Sequence, residues 1–144
     1  MLKIVLNHIS KNLPVVGLIV LTVSGIANAE VTGADAREIY DALNIPEVRV
    51  SIGRMGINVF SKSVGGLDCT RTRVVYPVAE SKYSCELKAE KNDREIYENL
   101  GVEEIPISAD SDLESFELKT VGGLDCEKKQ AKTPLATIHF NCSL

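Results

Sequence analysis

Val64-Gly65-Gly66-Leu67-Asp68-Cys69 returns unchanged as Val121-Gly122-Gly123-Leu124-Asp125-Cys126, 57 residues further on. Outward from that hexapeptide, at the same offset, Arg37-Glu38-Ile39-Tyr40 aligns with Arg94-Glu95-Ile96-Tyr97, and Cys85 with Cys142. Residues 36–87 and 93–144 align without a gap, and 18 of the 52 positions are identical. Self-similarity at a fixed period is the mark of a repeat architecture. The sequence therefore reads as two copies of one unit.

The hexapeptide itself predicts a hairpin. Two glycines between strand-like runs accept the positive φ angles that a tight primed turn requires. Strands are expected over 57–64 and 114–121, with return strands carrying Cys69 and Cys126. A looser connection holding Pro77 or Pro134 leads to closing strands, Tyr83–Leu87 and Phe140–Leu144, in which aromatic, cysteine and leucine share one face. Upstream, Val48, Val50 and Ile52 alternate, Ile105 and Ile107 echo them, and Pro106 suggests an edge.

Before these strands the period changes. Ala36, Ile39, Tyr40 and Leu43 fall on one face of a short helix, and Ile96, Tyr97 and Leu100 repeat it. Asp35 and Asn92 are expected N-caps, each followed three residues later by a glutamate, Glu38 or Glu95, in a capping-box spacing. Asn44 and Gly101 are expected to close the helices in the left-handed conformation. The fold class is α+β: a tandem repeat of two α-β-β-β-β units, each a short helix packed on a twisted antiparallel sheet and stapled by one disulfide.

The staples come from four cysteines, which allow three pairings. The repeat selects Cys69–Cys85 and Cys126–Cys142, two loops of equal length. No C-x-x-C occurs, so a zinc site is not expected.

The start of the chain reads as a secretory signal peptide: Lys3 and Lys11, an apolar run over 13–27, then Ala27-Asn28-Ala29. Cleavage is expected between Ala29 and Glu30, into a periplasmic or extracellular compartment where disulfides persist. The organisation is then residues 1–29 signal peptide, 30–88 unit 1 and 89–144 unit 2. Losing Lys3 and Lys11 leaves 14 basic and 20 acidic side chains, a net charge of −6. That balance argues against nucleic-acid binding, and no membrane association is expected after cleavage.

Catalytic chemistry finds little to work with. His139 is the only histidine after residue 29, its aligned partner is Lys82, and no G-x-S-x-G, P-loop or H-E-x-x-H is present. Asp110-Ser111-Asp112 resembles the start of a calcium loop, but Ser115 and Val121 stand where its glycine and closing glutamate would fall. No metal or cofactor is expected. Asp68 and Asp125 are not required by the turn and are candidate binding residues. Arg54 and Met55, in the loop that differs most between the copies, are further candidates, as are Arg71 and Arg73 on the return strand. Tyr76 and Tyr83 complete the set, since aromatic residues anchor interfaces.

In plan, the two stapled units are similar to the β-lactamase inhibitory proteins, in which tandem disulfide-bearing α/β units present a concave sheet to an enzyme. The likeness is architectural, with no motif matched residue by residue. It implies a monomeric, non-catalytic binding protein whose partner is another exported protein. The alternative is an envelope component that associates with itself through exposed strands.

Overall fold

The computed structural model describes residues 28–52, 56–132 and 137–144. In chain order the described elements are β1 (Ala29–Thr32), α1 (Gly33–Ala42), β2 (Val48–Ile52), β3 (Ile57–Val64), β4 (Leu67–Val74) and β5 (Glu80–Leu87). They are followed by α2 (Asp93–Asn99), β6 (Ile105–Pro106), β7 (Leu113–Val121), β8 (Leu124–Ala131) and β9 (Ile138–Ser143). The strands make two antiparallel sheets, ordered β1-β5-β4-β3-β2 and β6-β7-β8-β9. No described helix is long and apolar enough to cross a membrane.

Both Gly-Gly pairs form the expected hairpins, with φ of 55° and 86° at Gly65 and Gly66 and 55° and 81° at Gly122 and Gly123. Each hairpin fixes its register, Val64 opposite Leu67 and Val121 opposite Leu124. The next strand then brings the cysteines face to face. Cys69 lies opposite Cys85 and Cys126 opposite Cys142, and both pairs are bonded. All four sulfurs lie in the core with Leu67, Leu124 and the helix residues Ile39, Tyr40, Ile96 and Tyr97.

Three expectations need correction. β1 was not anticipated: Ala29–Thr32 pairs with β5, so the first sheet has five strands rather than four. Because β1 runs straight into α1 through Gly33, the helix starts at Gly33 and its N-cap is Thr32. Asp35 is therefore inside the first turn and caps nothing, although Asn92 does accept from the Glu95 amide as expected. The helix C-termini also differ. Leu43 and Leu100 leave the helices with extended backbone, and Gly101 is not among the positive-φ glycines.

Those ends meet each other instead. Leu43 and Leu100 form an antiparallel bridge, in which the Asn44 amide donates to the Asn99 carbonyl at 2.9 Å and the Gly101 amide to the Ala42 carbonyl at 2.8 Å. The exchange is reciprocal, as at a twofold axis. The hairpin turns cross over in the same way. A Cβ on Gly65 would strike the Asn92 carbonyl of the other half, and one on Gly122 would strike the Asp35 carbonyl. Glycine is required there by contact as well as by φ.

A lysine completes each helix. The last carbonyls of a helix have no partner within it. Lys62 of β3 donates to the Tyr40 and Leu43 carbonyls, both at 2.9 Å, and Lys119 of β7 donates to those of Tyr97 and Leu100 at 2.9 and 2.8 Å. The ammonium meets the negative end of the helix dipole and lies 4.9 Å from the centre of the Tyr40 ring or 4.6 Å from that of Tyr97. This explains how Lys119, only 8% exposed, can sit in the interior.

Candidate functional site: an apolar loop on a stapled hairpin

The connection between β4 and β5 carries the most exposed apolar side chains described. Tyr76 is 78% and Val78 73% exposed, with Val75 and Ile57 beside them. The Tyr76–Pro77 peptide bond is cis, and the Val75 amide donates to the Gly56 carbonyl at 3.2 Å, which ties the loop to the start of β3. The register runs unbroken from Val74–Glu80 down to the Cys69–Cys85 bridge. A fixed hairpin thus carries an apolar tip into solvent. Single exposed hydrophobes are ordinary, but a contiguous group is a common mark of an interaction surface.

Among the described residues, the other expected site residues are not gathered at this tip. Arg71 and Tyr83 lie beneath α1. The Arg71 guanidinium stacks over Phe60, 4.6 Å from its centroid, and pairs with Glu47 at 2.7 Å. Glu47 also accepts from the Tyr40 hydroxyl, while Tyr83 meets Tyr40 edge to face at 5.5 Å. Burial, reinforced by the Glu47 carboxylate, pushes the Tyr40 phenol above its ordinary value, so it stays protonated and donating. The group is a brace between helix and sheet. Arg73 is exposed on β4, one pleat nearer the loop. Arg54 and Met55 lie outside the described residues, as do residues 1–27 of the expected signal peptide and Pro134.

Asp68 and Asp125 flank the hairpin turns. Each stands opposite a hydroxyl residue, Ser63 or Thr120, and Thr120 donates to Asp125. Asp68 also pairs with Lys88 at 2.8 Å. The hydrogen bond from Lys88, against an opposing effect of burial and with help from Ser63, holds its carboxyl below the ordinary range. The aspartates therefore have structural partners that the turn alone did not suggest.

Sequence reasoning missed the two lysines under the helices, though a signal was present. Period two places Lys62 on the same face as Val64, and Lys119 on the same face as Val121, and the lysine is identical in both copies. His139 is exposed on β9 opposite Lys129. Among the described residues no cluster of three His, Cys, Asp or Glu side chains could hold a metal ion.

No family model, curated protein or solved structure matches this chain.

Proposed function

We propose that the chain is an exported, non-catalytic binding protein, an inhibitor of an envelope or extracellular enzyme, cut between Ala29 and Glu30 and built as a tandem repeat of two stapled α-β-β-β-β units. The observation that carries this reading is the apolar tip Val75-Tyr76-Pro77-Val78, exposed on a hairpin that a buried disulfide closes at its root. A loop tied down by backbone pairing loses less conformational freedom on binding than a free one, and a tyrosine at its tip is a common anchor for a partner's pocket. Two disulfides suit an oxidising compartment.

The test immobilises the oxidised protein and its Tyr76→Ala/Val78→Ser variant and challenges both with envelope and culture extracts. The reading expects one enzyme on the parent protein alone, inhibited by the parent in a purified assay and not by the variant. Recovery of equal sets on both, or a captured enzyme that keeps full activity, would sink it.

Self-association is the second reading, because edge strand β2 exposes Val48 and Val50 by 61% and 62%. Sedimentation at rising concentration separates the two: the inhibitor reading expects a monomer throughout.

A further inference from the structure

The brace under α1 and its counterpart under α2 share only some of their parts. At the 57-residue offset Tyr40 and Glu47 are kept as Tyr97 and Glu104, whereas Arg71 becomes Lys128, Phe60 becomes Glu117 and Tyr83 becomes Phe140. In the first half one guanidinium closes the array. Arg71 lies over Phe60 and donates to Glu47, which also accepts from Tyr40. In the second half Lys128 donates instead to Glu117, at 2.6 Å. Among the described residues Glu104 then forms no ion pair. The Tyr97 hydroxyl, shielded from water on a residue only 2% exposed, has no hydrogen-bond partner among them. Glu104 is near it all the same: after burial, its carboxylate is the main influence that raises the Tyr97 phenol above its ordinary value. Both residues line a pocket of about 370 Å³, with Lys119, Lys128 and Phe140. Its other charges are already engaged. Arg94 pairs with Glu98 at 2.8 Å, and Lys119 donates to the carbonyls that end α2. Two carboxylates, Glu104 and Glu117, are left with one ammonium.

We infer that the pocket beneath α2 binds the guanidinium group of a ligand, in the role that Arg71 fills beneath α1. The guanidinium donates to Glu104, and the Tyr97 hydroxyl donates to the same carboxylate, as Tyr40 does to Glu47 in the first half. The stem that carries the group lies against Phe140 and Ile138, which line the same pocket. A planar fork of donors engages both oxygens of a carboxylate, whereas an ammonium meets it as a point charge. The incoming charge also balances the composition of the site, because the second half holds one carboxylate more than the first against one cation in each. The pocket lies in the other half from the Tyr76 loop and is independent of it.

The test titrates the isotopically labelled, oxidised protein with N-acetyl-arginine methylamide, followed by residue-resolved NMR. Saturable shifts are expected at Tyr97, Glu104 and Lys128 and not at their counterparts Tyr40, Glu47 and Arg71. Half-saturation should fall below about 10 mM, a strength that one or two charge-assisted hydrogen bonds can supply. The citrulline and lysine analogues lack the charge or the fork, and each should bind at least about fivefold more weakly. Glu104→Gln, at an exposed position, should weaken binding about tenfold or more. The double variant Glu117→Phe/Lys128→Arg rebuilds the first-half brace within the chain and should abolish binding. If it does not fold, Glu104→Gln decides the matter. Free arginine is titrated in parallel: preference for the capped compound assigns the group to a polypeptide side chain, and preference for the free amino acid to a small solute. Absent saturation, shifts spread equally over both halves, or equal binding of either analogue overturns the inference. So does binding that survives undiminished in Glu104→Gln or in the rebuilt variant.

Discussion

The side chain of Asn44 fills the space that a Cβ on Gly101 would need. The two residues face each other across the reciprocal exchange between the helix ends, where Asn44 bonds to Asn99 and Gly101 to Ala42. Gly101→Asn should therefore destabilise the fold by about 1–3 kcal/mol through overpacking. Moving the asparagine across, as Asn44→Gly with Gly101→Asn, should recover most of the loss, because the contact is the same with its partners exchanged. Urea midpoints of the single and double variants measure the coupling.

The lysines under the helices make a second prediction. Lys119→Met keeps the bulk of the side chain but leaves the carbonyls of Tyr97 and Leu100 without the ammonium. Two charge-assisted hydrogen bonds in the interior put the cost at about 3 kcal/mol. Lys62→Met should cost less, because that site is only half-buried and water can replace the donor. Equal losses in thermal or urea unfolding would contradict the role of burial.

Removing one staple should be more damaging than removing any surface ion pair. The Cys126→Ala/Cys142→Ala variant releases a bridge between residues 16 apart and should lose about 3 kcal/mol. Calorimetry of the variant beside the oxidised parent reads that loss directly.

Asp68 supplies a pH dependence. Its carboxyl is depressed in the folded protein, first by Lys88, so its contribution is present above the unfolded value near pH ~4 and disappears as pH falls through the folded one. The lysine is exposed, so solvent screens the pair and the contribution is small. Asp68→Asn should be slightly less stable than the parent at neutral pH, and the gap should close as pH falls through the folded value. A constant gap across that range would show that ionisation of Asp68 contributes nothing to stability.

The hairpins and the disulfide pairing were legible because each depends on neighbours in sequence: two glycines for a turn, and a register that puts cysteine opposite cysteine. β1 was not, since one alternation over four residues is too short to read as a period, and it coincides with the expected cleavage site. Asp35 misled as a cap because the helix begins straight after the strand ahead of it, three residues earlier than that cap would place it. Asn44 and Gly101 misled for another reason: both residues suit a left-handed helix end, and only the meeting of the two ends shows that size is what matters. Of the binding candidates, Tyr76 is placed at an exposed tip while Arg71 and Tyr83 brace the helix, a distinction that residue type alone does not make.

The reciprocal join has a consequence for how such a molecule could diversify. Two identical chains meeting at an axis must present the same residue twice, so an asparagine there would collide with its own image and a glycine would leave a gap. Within a single chain the two positions change separately, and one side chain can serve both. The same freedom extends outward from the axis: among the described residues one sheet has five strands and the other four. Covalent continuity thus lets the two halves differ at such positions, while the lysine, the cysteines and the glycine turns are the same in both.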